Sequence, residues 1–205
     1  MIGYVCKYTP VEVFEAMGVE IRRIQPEVTN FNQADTLMHP NICSFTKSVL
    51  EDVLAGDYEG VVLTTCCDSI RRLYDVLKQQ CPDKFLYLLD VPRKVNDFST
   101  EMYRKNILDM EDFAGKTFDE TVLKQLLERR EAGQNLRTAP KNKASVHIGL
   151  MGARCSKGII DLLENRGVDI LFDMTCTGLK REFHVEPDNL LQAYAWQLLN
   201  QVPCL

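Results

Sequence analysis

The stretch Gly60–Gln80, GVVLTTCCDSIRRLYDVLKQQ, reads as a buried strand, a tight turn and an amphipathic helix in immediate succession. Val61, Val62 and Leu63 form an unbroken apolar run, the pattern of a strand covered on both faces. After Cys66 and Cys67, Asp68 is a suitable N-cap for a helix through SIRRLYDVLKQQ. A strand that feeds straight into a helix is the building unit of a parallel sheet, because parallel neighbours need a long crossover.

The same alternation extends in both directions. Candidate strands are Ile2–Cys6, Glu20–Ile24, Gly60–Thr65 and Phe85–Leu89, then Ser145–Met151 and Asp169–Met174, with helical patterns between them. The class is α/β, with right-handed crossovers. At the first helix Thr9 can cap, Pro10 suits the first helical position, Glu12 completes a capping box and Gly18 can end the helix. A second helix follows Cys43 through SFTKSVLEDVLAG. Thr100–Arg137 carries a helical pattern, interrupted at Gly115 and without strand signal, and the TAPKNKAS segment after it marks a boundary. The expected organisation is a sheet domain over 1–99, a helical connector over 100–143 and a second unit over 144–205. That second unit has few elements for an independent core and is expected to be incomplete. Its last helix, Asn189–Asn200, is expected to expose Leu190, Leu191, Tyr194 and Leu198.

With 205 residues, 45% hydrophobic and 26% charged, the chain has an ordinary globular makeup, which sets aside disordered and fibrous classes. The formal charge is -5 and basic residues are mixed among acidic ones, so neither nucleic acid nor an anionic membrane is an expected partner. No apolar run approaches the roughly 20 residues that span a bilayer. The opening MIGYVCKYTPVEVFEAMG lacks the pattern of a secretory signal, so the expected location is the cytoplasm. Eight cysteines in a reducing compartment point to metal or catalysis more than to disulfides.

Six of those eight stand where a parallel sheet gathers ligands. Cys6, Cys66, Cys67 and Cys176 lie at or just past strand ends, Cys155 is in the turn after Met151, and Cys43 opens a helix. Loops converge at the carboxyl ends of parallel strands, and helix N-termini present free N–H groups there. Thiolates drawn from separate loops can hold an iron-sulfur cluster without a CxxC motif. The competing reading is that cysteine acts as a small buried hydrophobe, which suits Cys81 in particular. Of the vicinal pair, one sulfur is expected to face the site and the other to pack, since adjacent extended residues point to opposite sides.

Other candidates carry less chemistry. Gly149, Gly152 and Gly158 surround a strand-to-helix turn that eases the chain round or admits a phosphate near Arg154 and Lys157. His39, His147 and His184 are dispersed and expected to be structural. Asp68, Arg71, Arg72 and Tyr74 either orient a ligand or cap and solvate a helix.

Several motifs then occur in a telling order: CKYTPVE from Cys6, ADTLMHPNICSFTKS from Ala34, CDSIRRLYDVLK from Cys67, LLDVPRK from Leu88, CTGLKR from Cys176 and the closing Pro203–Cys204. Together they resemble the 2-hydroxyacyl-CoA dehydratase family, its D-component and double-cubane cluster branch. The resemblance implies two Rossmann-like halves, the second cut short here, since family members continue beyond the PC motif. It implies an iron-sulfur cluster, either 4Fe-4S or a double-cubane 8Fe-9S, with Cys6, Cys43 and Cys67 as ligands of the first half and Cys176 and Cys204 belonging to the second. It implies an anaerobic, low-potential lyase or reductase acting on an acyl-CoA or another small molecule. An ATP-dependent activator delivers the electrons, and a companion or identical subunit completes the assembly. The alternative is a cluster-free interaction or remnant subunit that packs on a longer chain.

Overall fold

The computed structural model describes residues 1–27, 30–133, 146–178 and 189–201. In chain order the elements are β1 (Ile2–Tyr4), α1 (Val11–Ala16), β2 (Ile21–Arg23), α2 (Asn32–Leu37), α3 (Ser44–Ala55), β3 (Gly60–Thr64), α4 (Asp68–Gln80), β4 (Phe85–Leu89), α5 (Asp97–Ala114) and α6 (Glu120–Gly133). These are followed by β5 (Val146–Leu150), α7 (Lys157–Asn165), β6 (Val168–Asp173) and α8 (Leu190–Leu199). All six expected strands form, and the class is α/β, Rossmann-like in its parallel sheet. The chain divides into two compact units, Met1–Leu123 and Lys124–Leu205. The division falls inside α6, within the stretch read as a connector; residues 138–145 lie outside the described residues.

The first unit is a four-stranded parallel sheet in the order β2-β1-β3-β4. The chain steps outward from β1 to β2, then returns past β1 to β3 and continues to β4. Its direction of travel therefore reverses between β1 and β3, which opens a crevice at their carboxyl ends. Crossover helices run antiparallel to the strands they join, so α3, which precedes β3, and α4, which follows it, both start at that edge.

The core explains why the sheet holds. All five residues of β3 are buried. Val49, Leu50 and Val53 of α3 and Ile70, Leu73 and Leu77 of α4 close over Val61 and Leu63 in one cluster. The α4 positions repeat at three and four residues, the stripe that a helix turns toward a sheet. Each fully buried leucine contributes roughly 1.5–3 kcal/mol of transfer free energy.

Local details differ from the sequence expectation where tertiary contacts intervene. The Thr9–Glu12 capping box does not form: Pro10 is the N-cap of α1, with no side-chain cap bond. Thr9 is instead drawn into the turn after β1, its N–H donating to the Cys6 carbonyl at 3.0 Å, while Glu12 is fully buried. At α4 the cap is Cys67 and Asp68 is the first helical residue, still placed to complement the helix dipole.

Helix α2 escaped the sequence reading because its cap is remote. Glu51 on α3, only 7% exposed, accepts from the backbone N–H groups of Gln33 at 2.7 Å and Ala34 at 2.9 Å. Lys47, one turn earlier on α3, pairs with Asp35 at 2.7 Å. These two contacts fasten α2 to α3 ahead of Cys43.

In the second unit β5 and β6 pair in parallel, with a register shift between Ile148 and Gly149. A Cβ on Gly149 would strike the ring of its partner Phe172, and Gly152 has φ 122, so these two glycines serve packing and the turn rather than a phosphate cradle. The N-cap of α7 is Ser156, whose hydroxyl accepts from Ile159 N–H. The open apolar face expected on the last helix is not found. Leu190, Leu191, Tyr194 and Leu198 are buried within the chain, and Trp196 is the large exposed residue of α8. Among the described residues, no helix is long and apolar enough to cross a membrane.

Replacing Glu51 by Ala removes the acceptor for two N–H groups, one of them buried. The change should lower the unfolding free energy by about 2 kcal/mol in denaturant titration. Glu51→Gln, which keeps an oxygen for both N–H groups and loses only the charge that strengthens them, should lose about half as much.

Candidate functional site

Cysteines follow both β1 and β3 at the switch point. Cys6 lies two residues past the end of β1, and Cys66 and Cys67 follow β3 directly. β1 and β3 are adjacent parallel strands, so the segments carrying Cys6 and the Cys66–Cys67 pair leave the sheet at the same edge. The expectation that one sulfur of the vicinal pair packs is not met: Cys66 and Cys67 are both exposed residues, because the chain turns at Thr65 and Cys66 before entering α4.

The contacts set the acidity of the pair. The hydrogen bond with Cys6, followed by burial, pushes the Cys66 thiol up to about 11, against a pull in the other direction from Cys67. Cys67 is raised further, first by its hydrogen bond with Cys66 and then by burial. The backbone N–H groups of Ile70 and Ser69 oppose that rise, since they face the sulfur at the positive end of α4.

The loops carrying the thiols are held firmly. Thr65 is fixed by its N–H to the Leu89 carbonyl at 3.0 Å and by its hydroxyl, which donates to Asp90 Oδ1 at 2.6 Å and accepts from Val91 N–H at 2.9 Å. Arg71 Nη2 reaches the Thr65 carbonyl at 3.5 Å. On the other side, the hydroxyl of fully buried Tyr103 donates to the Tyr8 carbonyl and pins the turn that carries Cys6. Neither Thr65 nor Tyr103 was singled out from sequence; Asp90, inside LLDVPRK, was the available signal for the first.

Cys43 reaches the same edge by topology but bonds differently. It is the exposed N-cap of α3, and its sulfur lies 3.1 Å from the Thr46 hydroxyl rather than against another thiol. Among the described residues, no three His, Cys, Asp or Glu side chains form a ready-made metal-holding group. The donors nevertheless suit iron-sulfur chemistry in kind, being soft thiols from separate loops. The buried hydroxyl of Thr9, in the Cys6 turn, lacks a hydrogen-bond partner, a sign of polar capacity unused at this edge.

Two further cysteines lie on neighbouring loops of the second unit. The loops after β5 and β6 are laced together: Cys176 N–H donates to the Ala153 carbonyl at 2.7 Å, and the Thr177 hydroxyl donates to the Cys155 carbonyl at 3.0 Å. Cys155 and Cys176 thus share the carboxyl edge of that sheet, and burial, then Asp173, raises the Cys155 thiol. Cys155 stood outside the ligand set read from sequence. Cys204 and His184 lie outside the described residues. Other candidates are structural: His39 Nδ1 accepts from Asn41 N–H at 3.2 Å in a turn, Arg72 pairs with Asp75 at 2.9 Å on the surface, and the Tyr74 ring lies under the Lys78 ammonium.

Thr65→Val would leave the buried Val91 N–H without its acceptor. It should cost about 2 kcal/mol of stability and speed iodoacetamide labelling of Cys66 and Cys67. Unchanged labelling would mean that the turn is held by its other contacts alone.

Comparison with known proteins places this geometry in a family. Residues 6–139 match the model of the 2-hydroxyglutaryl-CoA dehydratase D-component. The chain is also 27% identical over 135 residues to the beta subunit of (R)-phenyllactyl-CoA dehydratase from Clostridium sporogenes. That match covers 62% of this chain and 36% of the relative, so the chain spans well under half of the relative's length. With the sheet, its crevice and the family match in agreement over the first unit, the chain belongs to the 2-hydroxyglutaryl-CoA dehydratase D-component family.

Proposed function

We propose that the chain is an iron-sulfur redox protein of the 2-hydroxyacyl-CoA dehydratase type, with Cys6, Cys43 and Cys67 as thiolate ligands in the first unit and Cys176 and Cys204 serving the second. The observation that carries the proposal is the placement of Cys6 and the Cys66–Cys67 pair at the carboxyl ends of the adjacent strands β1 and β3, in a chain that matches the family over those residues. A bound cluster, 4Fe-4S or 8Fe-9S, would supply single electrons at low potential to an acyl-CoA or other small substrate. The relative's printed activity, on (R)-phenyllactyl-CoA, supports that substrate class.

The chain's own residues have definable tasks in this reading. Cys67 holds iron with its charge favoured by the N–H groups at the start of α4. Cys6 reaches the same space from a turn that Tyr103 pins, and Cys43 from the start of α3, whose Thr46 hydroxyl stands beside its sulfur. Metal binding would draw protons off these thiols, so iron uptake should strengthen as pH rises. An ATP-dependent activator as electron donor, a dehydratase-like lyase or related reductase activity, and a cytoplasmic location belong to the same proposal.

A companion or identical subunit is supported separately. Val146, Met151, Ile159, Leu162 and Phe172 of the second unit are large apolar residues with substantial exposure. The same observation favours the second reading, a cluster-free subunit that packs on a longer chain.

Anaerobic reconstitution with iron and sulfide distinguishes the readings. Cys67→Ser should lose most of the bound iron and the visible cluster absorbance, while Cys66→Ser should retain both nearly in full. The opposite pattern would exchange the two roles, and indifference to both substitutions would remove the ligand assignment.

A further inference from the structure

Within the first unit, the buried side-chain nitrogens and oxygens that lack a hydrogen-bond partner among the described residues belong to Thr9, Arg23, Thr64 and Arg71. All four stand at the carboxyl edge of the sheet. Arg23 and Thr64 end β2 and β3, Thr9 lies in the turn after β1, and Arg71 is in the first turn of α4. Arg23, Tyr4 and Val62 are Cα partners across β2, β1 and β3, and Thr64 follows Val62 by two residues. Arg23 and Thr64 therefore leave the same face of the sheet. Buried donors left over in this way mark a place where an absent acceptor belongs.

Arg23 has the most definite chemistry of the four. Its orphaned atoms are Nε and Nη2, the two nitrogens whose N–H bonds point the same way along one side of the guanidinium. That side is a fork for two oxygens of one phosphate or carboxylate, held by parallel charge-assisted bonds. A guanidinium is not deprotonated in proteins, so burying part of it without an acceptor costs stability. Arg72, by contrast, pairs with Asp75 at 2.9 Å on the open surface of α4. Arg23 as a whole is only half-buried, so its side chain can turn the fork toward a ligand at the edge.

Position narrows the anion. In nucleotide-binding βαβ units the end of the second strand meets the ribose, and an arginine there receives a phosphate carried on it. β1, α1 and β2 form such a unit, with β2 parallel and adjacent to β1. The turn after β1, CKYTP, has no glycine with which to cradle a diphosphate. A fork without a cradle suits a phosphate monoester. From this juxtaposition we propose that Arg23 binds the ribose phosphate of a nucleotide-bearing ligand at the carboxyl edge of β2. Coenzyme A carries such a phosphate on its ribose, which makes the substrate its source. That identification rests on the acyl-CoA reading above, whereas the phosphate site does not.

The test uses the full chain, reduced and metal-free, in phosphate-free buffer, with calorimetric titration of CoA, dephospho-CoA and inorganic phosphate. CoA should bind about tenfold tighter than dephospho-CoA, the margin of a bidentate charge-assisted pair. In Arg23→Met, which keeps the apolar stem and removes the fork, the two should bind alike, while Arg72→Met should keep the preference. Arg23→Lys, which retains the charge without the fork, should recover only part of it. Without ligand, Arg23→Met should melt no lower than the wild type, because an unsatisfied group is gone. A clear fall would mark the arginine as structural and overturn the proposal. It would also be overturned by a wild type that binds neither phosphate nor CoA, or by an Arg23→Met chain that keeps the preference for CoA. If inorganic phosphate binds through Arg23 while CoA and dephospho-CoA bind alike, the phosphate site stands and its assignment to CoA fails. None of these readouts uses iron, so they leave the cluster reading to its own test.

Discussion

The parallel pairing of β1 with β3 is the constraint on which everything else rests. Hydrogen bonding sets Ile2 against Gly60 and Tyr4 against Val62, and the chain leaves the two strands in opposite lateral directions. That divergence leaves a crevice that no crossover fills. Because Cys6 and the Cys66–Cys67 pair come directly after these two strands, the pairing that builds the sheet also assembles the thiols. Because β3 is buried on both faces, a slip of one residue would exchange apolar side chains for one another and would show chiefly at the strand ends, where the cysteine-bearing segments would fall out of step. The register therefore decides which residues stand together at the edge that carries the site.

Around this centre the structure spends its strongest local contacts on holding loops rather than strands. Glu51 and Lys47 fasten α2 in front of Cys43, Thr65 ties the end of β3 to the loop after β4, and Tyr103 ties the Cys6 turn to α5. Each is a hydrogen-bonded anchor at an element boundary close to a cysteine. Ligand-bearing loops are useful only if their supporting contacts fix the donor atoms, and these contacts occupy that position.

Much of this was legible in the sequence because it rests on periodicity. Unbroken apolar runs marked the strands, and the spacing of Ile70, Leu73 and Leu77 marked the buried side of α4. What was not legible depends on residues distant in the chain. The cap of α2 comes from Glu51, 18 residues beyond Gln33, so no local signature could announce it. The Thr9–Glu12 box has the right letters, but the Cys6 turn takes Thr9 away from its capping role. The exposure of both Cys66 and Cys67 escaped the sequence for the same reason: strand alternation sends adjacent side chains apart, and a turn at Thr65 and Cys66 cancels that rule. The burial of Leu190, Leu191, Tyr194 and Leu198 is likewise tertiary, since an apolar stripe shows that a face will be covered and not by what.

The central claim is that thiols gathered at one sheet edge hold iron together with sulfide. The most direct measurement is the iron and acid-labile sulfide content of the full chain purified under strict exclusion of oxygen, with its thiols counted before and after removal of metal. The account predicts that several iron atoms and a similar number of sulfides accompany each chain, and that chelation releases thiols that were shielded from alkylation. A chain that is free of iron and sulfide, with all eight cysteines open to alkylation after unfolding and no gain on chelation, would contradict it.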